Sequence, residues 1–367
     1  MEIKLEVKLP VLISDDYLNV TNAVINGDSL FMLDMDRLIR EERDIGNLTK
    51  YLLKYKSYDN YEEIKKFYET IDTENYKIKP EISIDKEFIR IINSNSHGSN
   101  KARDIILTMG NYQIINDSKH FIPLIPGSTV KGAIRNAVRN FYVKKLNELL
   151  AYSNGSFVNR KLSEDYPRGN ENLDNVLFLN DIFRFVNVKD FYSDNYKMYL
   201  YNLSRNKLKG GNKGIPVYAI TISSGTFNGQ ISISNQLNNI LKNNVKEKGR
   251  IVNIINEILE INFDGNVGNY KNNILKKILE ITTNYNKEIL SSEKEYYNID
   301  IDKPLIIGFG GGIEEKTVIR SLNENVYSAE KNYIESRNGK LKLNSERMPA
   351  TAWMINKNKF GVLEVKY

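Results

Sequence analysis

The 367-residue chain contains no cysteine and only two histidines, His97 and His120. Without cysteine, disulfide bonds, thiolate metal sites and cysteine nucleophiles are excluded. His97 lies in a small polar loop with no histidine neighbour in sequence, so a zinc site is not indicated. We therefore expect neither a metal nor a cofactor.

Long apolar runs are also missing. No stretch approaches the ~18 apolar residues that a membrane-spanning helix requires. The first ten residues, MEIKLEVKLP, alternate between charged and apolar side chains, as a β-strand does and a signal peptide does not. The sequence predicts a cytoplasmic protein without membrane contact.

The composition is that of a globular protein with a mild basic excess. Hydrophobic residues make up 41% and charged residues 27% of a chain long enough for two domains. A net charge of +6 permits RNA binding without requiring it. The 23 tyrosines and 14 phenylalanines offer flat faces for unpaired bases, although a compositional bias of the genome would explain the same abundance.

The most informative stretch runs from His120 to Leu146. An apolar segment ends at Pro126-Gly127, Ser128 and Thr129 offer a helix N-cap, and a helix follows. One edge of this helix is basic, with side chains four residues apart, and the adjacent face is apolar. The basic residues are Lys131, Arg135 and Arg139, and the apolar ones are Ile134, Ala137, Val138 and Phe141.

Lys131 is the unusual residue of this turn. With Ser128 as N-cap, Lys131 takes the third helical position, where acidic side chains suit the positive helix end. A phosphate bound by the free amides and by Lys131 would reverse this mismatch. The stretch is not a Walker loop, because Lys131 precedes Gly132 and no Gly-Lys-Ser/Thr follows. The alternative is an ordinary glycine turn with a solvated basic helix face.

Two further loops carry glycine or basic residues. The segment from Pro304 to Arg320 lacks the third glycine of the dinucleotide fingerprint and the leading cation of the RNP1 pattern. Its three consecutive glycines let the backbone approach a ligand closely. Residues 205–214 contain four cations and predict either a solvated linker or a loop that grasps RNA.

The rest of the chain predicts strands and helices in alternation. Expected strands and hairpins are a hairpin about Asn26-Gly27-Asp28, strands over 105–115, 176–185 and 197–202, a hairpin about Gly225 and a closing strand over 360–365. Expected helices cover 34–43, 49–71, 237–260 and 272–290. The last two carry no paired-carboxylate or His-Glu pattern that would indicate catalysis.

The segment Pro126 to Arg135, PGSTVKGAIR, resembles the PGSSLKGALR loop of the RAMP superfamily, the RNA-binding subunits of CRISPR effector complexes. In length and order of features the chain is most similar to the family of fifth subunits of type III-A Csm complexes. The run Gly308 to Gly312 followed by Lys316-Thr317 also resembles that family, as does the end of the chain. Glu314-Glu315 and the apolar residues before Gly308 depart from the family pattern.

The resemblance implies an α+β fold of two ferredoxin-like (RRM-like) RAMP domains with a helical insertion in the C-terminal half. We expect a first domain over 1–225, with glycine loop 126–132. The second domain is expected over 226–367, with helical segments 237–290 and glycine loop 308–312.

The implied function is that of a non-catalytic guide-RNA-binding subunit near the 3′ end of the crRNA in a type III-A CRISPR complex, with a part in crRNA maturation and antiviral defence. Expected partners are crRNA, other Csm subunits (especially the backbone subunit), target RNA and host nucleases. The residues expected to contact RNA are Gly127, Ser128, Thr129, Lys131, Gly132, Arg135, Arg139, Lys207, Lys209, Lys213, Gly308, Phe309, Gly310, Gly311, Gly312 and Lys316. Two alternatives stay open: a RAMP endoribonuclease that processes precursor crRNA, and a protein-only scaffold subunit.

Overall fold

The computed structural model describes residues 1–41, 46, 67–93, 104–153, 156–162, 173–207, 217–243, 245–308, 321–324, 326–328 and 351–367. These residues form nine α-helices and a large sheet of mostly antiparallel strands. The predicted α+β class is therefore confirmed.

The strands are short except for two in the middle of the chain. They are β1 (Glu2–Val7), β2 (Ser14–Asn19), β3 (Ala23–Asn26), β4 (Ser29–Leu33), β5 (Lys77–Ile84), β6 (Asp104–Thr108), β7 (Gly110–Ile115), β8 (Ser118–Ile125), β9 (Leu150–Ser153), β10 (Ser156–Asn159), β11 (Val186–Val188), β12 (Phe191–Tyr192), β13 (Tyr196–Lys207), β14 (Val217–Ile233), β15 (Pro304–Ile306), β16 (Thr351–Ile355) and β17 (Val362–Lys366).

Helices of very different length cover the sheet. They are α1 (Met35–Glu41), α2 (Lys86–Asn93), α3 (Gly127–Leu146), α4 (Leu173–Val176), α5 (Leu179–Phe183), α6 (Asn235–Asn243), α7 (Val245–Leu259), α8 (Val267–Ser292) and α9 (Lys294–Tyr297). None of these described helices has both the length and the apolar character that crossing a bilayer demands.

Strand β14 connects the two parts of the sheet. Its first half pairs with β13 and, in parallel, with β6, and its second half pairs with β1, β11 and β12. Strand β1 also pairs with β17, so it lies between two strands from much later in the chain. One continuous strand of 17 residues thus belongs to both parts of the sheet.

The predicted hairpin about Gly225 is wrong, because β14 continues through this residue. Gly225 has a φ of +142°, and a Cβ atom here would lie 2.8 Å from the carbonyl oxygen of Asn195. Glycine is required where the pairing partner of β14 changes from Tyr196 to Glu6 of β1. The division of the chain into domains 1–225 and 226–367 stays a prediction, with its boundary inside this strand.

The main hydrophobic core lies between the sheet and helices α3 and α8. On β1 the buried residues Ile3, Leu5 and Val7 alternate with more exposed charged residues, as the sequence predicts. Helix α3 buries Ile134, Ala137 and Val138 and partly buries Phe141, so its predicted apolar face is confirmed. A second core lies under β5, β6 and the first half of β14 and includes Phe88 of α2.

Other predicted elements differ in their outcome. The hairpin about Gly27 is confirmed, with Asn26 paired to Ser29, and so are the helices now seen as α6 to α8 and the closing strand. The strand expected over 105–115 is two strands, β6 and β7. Most of the helix expected over 49–71 falls outside the described residues.

The strand expected over 176–185 is wrong. This segment forms the end of α4 and all of α5, and its apolar side chains are almost all fully buried. Helices of four and five residues are too short to show a helical period in their sequence. The apolar run therefore resembled a buried strand.

A buried ion pair holds the segment that precedes β17. Lys359 pairs with Glu293, and the two side chains are 1% and 0% exposed. The Lys359 ammonium lies 5.6 Å from the centroid of the Tyr297 ring, and its backbone amide donates to the carbonyl of Tyr296. These contacts join the end of the chain to α9.

Breaking this pair should destabilise the protein strongly. Glu293→Gln leaves the Lys359 ammonium buried without its counter-charge, which costs roughly 3–5 kcal/mol of unfolding free energy. Asp302→Asn, which breaks the exposed pair with Lys287, is the control and should leave the unfolding free energy nearly unchanged. Chemical denaturation measures both, and equal losses would contradict a structural role for the buried pair.

Candidate nucleic-acid interface

Helix α3 begins directly after β8, at a glycine that the packing requires. Pro126 is extended, and Gly127 is the first helical residue. A Cβ atom on Gly127 would lie 2.3 Å from the carbonyl oxygen of Val188 and 2.7 Å from that of Lys189. Only glycine lets the connection between β11 and β12 pass this close to the helix start. The predicted order of strand, glycine turn and helix is confirmed.

A distant aspartate, and not Ser128, caps this helix. The Oδ1 atom of Asp190 accepts a hydrogen bond of 2.8 Å from the Gly127 amide. The predicted N-cap at Ser128 is wrong, because Pro126 holds that position and Lys131 is the fifth helical residue. Asp190 already supplies the negative charge that the helix end favours, so Lys131 creates no charge mismatch there.

Lys131 is held by the backbone of a neighbouring strand. Its Nζ atom donates to the carbonyl of Val186 at 2.7 Å. Burial lowers the pKa of Lys131, and the nearby charge of Arg135 lowers it further. Because an ammonium has three N–H donors, this one bond leaves donors for another acceptor. Lys131 is oriented by the fold and can still bind an anion.

The two arginines of the basic edge differ in how tightly they are held. Arg139 donates to Asp174 through Nε and Nη2 at 2.7 and 2.6 Å, and the Asp174 side chain is only 7% exposed. Arg135 lies 3.7 Å from the other Asp174 oxygen and over the ring of Phe183. Its Nε has no hydrogen-bond partner in the part of the chain that the structure describes. Arg139 therefore stabilises the fold, whereas Arg135 is more loosely held.

Small residues form the exposed edge at the start of α3. Ser128 and Gly132, one helical turn apart, are exposed, and Thr129 is half-buried. Amides in the first helical turn have no partner within the helix. A Cβ atom on Gly132 would meet nothing within 4 Å, so packing does not explain a glycine in the middle of this helix. The absence of a side chain at Gly132 leaves room for the backbone of another molecule to approach α3 closely.

A groove beside the start of α3 adds residues that the sequence did not single out. It encloses about 720 Å³, and its lining includes Lys189, Asp190 and Tyr192. Tyr192 is 45% exposed, although most large aromatic side chains of the described residues are buried. The sequence shows only a short polar and aromatic run here, and nothing in it tells an exposed tyrosine from a buried one.

The other predicted contact residues belong to different elements. Lys207 ends β13, where its backbone pairs with Thr351. Gly308 has a φ of +81°, and a Cβ atom there would lie 2.4 Å from the carbonyl oxygen of Leu12, so packing explains this glycine. Outside the described residues lie Lys209, Lys213, Phe309, Gly310, Gly311, Gly312, Lys316 and His97. Within the described ranges, no three His, Asp or Glu side chains are grouped to hold a metal ion.

Comparison with known proteins identifies the family. The profile of the RAMP superfamily matches residues 106–340, which include α3 and β14. A chain from a cryo-EM structure of a Csm–crRNA–target RNA ternary complex of a type III-A CRISPR-Cas system aligns over 100% of both chains, with a TM-score of 0.64 and 16% identity. The crystal structure of Csm5 from T. onnurineus aligns over 98% of this chain and 99% of its own, with a TM-score of 0.47 and 16% identity.

No curated protein sequence matches the chain. The superfamily profile, however, covers more than half of it. This protein therefore belongs to the RAMP superfamily.

Proposed function

We propose that this protein is a guide-RNA-binding subunit of a type III-A CRISPR ribonucleoprotein, with two ferredoxin-like RAMP domains. The observation that carries the proposal is the open edge of α3, where Ser128 and Gly132 lie beside the cations Lys131 and Arg135. Membership of the RAMP superfamily and the likeness in fold to a chain of a Csm–crRNA–target RNA complex support it.

The proposed contacts follow from what is left exposed. The RNA backbone passes over Gly132, where no side chain blocks it. Lys131 and Arg135 neutralise phosphates, while the Ser128 hydroxyl and amide donate hydrogen bonds. Tyr192 offers a face on which an unpaired base can stack.

The proposed partners are crRNA, target RNA and other Csm subunits, above all the backbone subunit. The proposed position is near the 3′ end of the crRNA. The protein contributes to crRNA maturation and antiviral defence by binding RNA and host nucleases, and not by cutting RNA itself.

The purified protein should leave repeat RNA uncut with or without divalent metal. General acid–base cleavage needs a base and an acid aligned on the reacting oxygens, and this chain has two histidines and no cysteine. Incubation with labelled repeat RNA, with His97→Ala as a parallel sample, provides the measurement. Cleavage that a single substitution abolishes would favour the endoribonuclease alternative.

Gly132→Ala should separate RNA binding from stability. Because the new methyl group meets no protein atom, the helix gains about 0.5–1 kcal/mol. RNA retention should fall, since the methyl group projects where the RNA backbone passes. The control is Gly249→Ala on α7, a helical glycine that is equally exposed and unobstructed. It should raise the melting temperature equally and leave RNA affinity unchanged, and identical RNA affinity for both variants would remove α3 from the interface.

Arg135→Ala and Arg139→Ala should have opposite dominant effects. Loss of Arg135 should weaken RNA binding and flatten the slope of log affinity against log salt by about 0.7, the value for one single-strand phosphate contact. Loss of Arg139 removes the two hydrogen bonds that Arg139 donates to the buried Asp174 carboxylate and should cost about 1–3 kcal/mol of unfolding free energy. RNA titrations at several salt concentrations and thermal melts of both variants test this difference. An unchanged salt slope in Arg135→Ala would exclude that contact.

A further inference from the structure

A second cavity, away from the edge of α3, has walls of a different character. It encloses about 430 Å³, a volume within the range of small-molecule sites. Aromatic rings, one proline and three charged side chains line it. The aromatic residues are Phe31, His120 and Tyr196, the proline is Pro80, and the charged residues are Lys79, Glu81 and Asp194. We refer to it as the β5–β8 pocket, because Lys79 of β5 pairs with His120 of β8 at its base.

The charges of the β5–β8 pocket exclude a phosphate as its ligand. Glu81 and Asp194 contribute two negative charges against the single positive charge of Lys79. Within the described ranges neither Glu81 nor Asp194 forms an ion pair, so both carboxylates keep their acceptor capacity. The pocket therefore suits an uncharged group that donates hydrogen bonds.

A cationic group is also an unsuitable ligand for the β5–β8 pocket. The ammonium of Lys77 already lies 4.1 Å from the centroid of the Phe31 ring. Lys77 is paired with Glu74 and so adds no net charge to the pocket, but its ammonium already uses the negative quadrupole of the Phe31 ring, which weakens the attraction of this ring for a second cation. Lys79 inside the pocket repels a cation as well. A neutral aromatic ring stacked on Phe31 meets neither penalty.

Tyr196 contributes its ring and not its hydroxyl group. The hydroxyl donates to the carbonyl of Phe121 at 2.9 Å, and burial together with the charge of Asp194 raises the pKa of Tyr196. The hydrogen-bonding side chains that line the pocket and are open to a ligand are therefore the two carboxylates, the Lys79 ammonium and the His120 imidazole. The lining thus combines aromatic rings for stacking with two charged acceptors and one charged donor.

Guanine matches this arrangement. Its Watson–Crick edge carries two adjacent N–H donors, at N1 and N2, which one carboxylate accepts together, and the neighbouring O6 accepts from an ammonium. Adenine and cytosine each offer only one donor group beside an acceptor on this edge. We propose that the β5–β8 pocket binds a guanine base that is stacked on Phe31, with Glu81 and Asp194 reading its donors and Lys79 its O6.

The position of the pocket connects it to the proposed RNA interface, and this connection depends on the proposed function. His120 lies on β8 about 23 Å before the start of α3, at ~3.3 Å per residue. The segment from Lys189 to Tyr196 also lines both the groove beside α3 and the pocket. An RNA strand that follows this segment would bring an unpaired base to the pocket, whereas a free guanine nucleotide is the other source of the same chemistry.

Titration with free mononucleotides tests the pocket by itself. Wild-type protein should bind GMP more tightly than AMP, and inorganic phosphate alone should not bind there. The double variant Glu81→Gln/Asp194→Asn should lose GMP affinity by roughly 5- to 150-fold, the range for one bidentate base contact, and keep its AMP affinity. Phe31→Leu should weaken GMP and AMP alike, because it removes the stacking surface. Glu295→Gln, an exposed carboxylate on α9, is the control and should change neither.

Titration with RNA separates the pocket from the proposed function. A uridine RNA with one guanine should bind wild type more tightly than the same RNA with adenine, and the double variant should bind the two equally. Both substituted carboxylates are exposed, so the melting temperature of the double variant should equal that of wild type.

The possible outcomes distinguish the pocket from the proposed function. If the protein binds RNA without guanine preference and does not bind GMP, the guanine pocket is overturned and the proposed function stays intact. GMP binding without any RNA binding would support the pocket with a free nucleotide and defeat the proposed function. If the protein binds arginine amide at this pocket but does not bind GMP, the guanine assignment is overturned.

Discussion

The structure depends on the pairing of β14 with partners from both ends of the chain. Its first half belongs to the part of the sheet built from β6 and β13, and its second half belongs to the part built from β1, β11 and β12. The connection between β11 and β12 lies against the start of α3 only because these strands pair with β14 and β8. The proposed RNA interface is therefore a consequence of sheet register and not of one loop.

Charges of opposite sign within the protein govern what α3 can offer to RNA. Asp190 neutralises the helix start and Asp174 neutralises Arg139, so part of the basic edge is already satisfied in the folded chain. The helix can therefore fold without RNA, because these aspartates offset the repulsion between the cations along its basic edge. The proposed RNA contacts are limited to the groups that these aspartates leave free, so a small set of residues determines the proposed affinity.

Local signals in the sequence predict α3 well, and long-range contacts explain what they miss. Proline, glycine and the helical period lie within twenty residues, so the turn, the helix and its apolar face could be predicted. The cap could not, because Asp190 lies 63 residues away from Gly127 and nothing local marks it as a partner. The exposure of Gly132 and Tyr192 likewise depends on tertiary packing, which decides which residues other segments bury. The glycine at position 225 favours a turn locally. The residues before and after it nevertheless pair with β13 and β1, and this pairing keeps Gly225 within β14.

The place of β1 in the sheet has a consequence for the order in which the chain becomes structured. Both strands that pair with it, β14 and β17, are synthesised long after it, so the backbone hydrogen-bonding groups on both edges of β1 stay unpaired until those strands emerge from the ribosome. Contacts at such sequence separation also slow folding, because the loops between them must close first. The nascent chain is therefore exposed to aggregation for most of its synthesis, and co-expression with a chaperone should matter more for its yield than for that of a protein with local pairing.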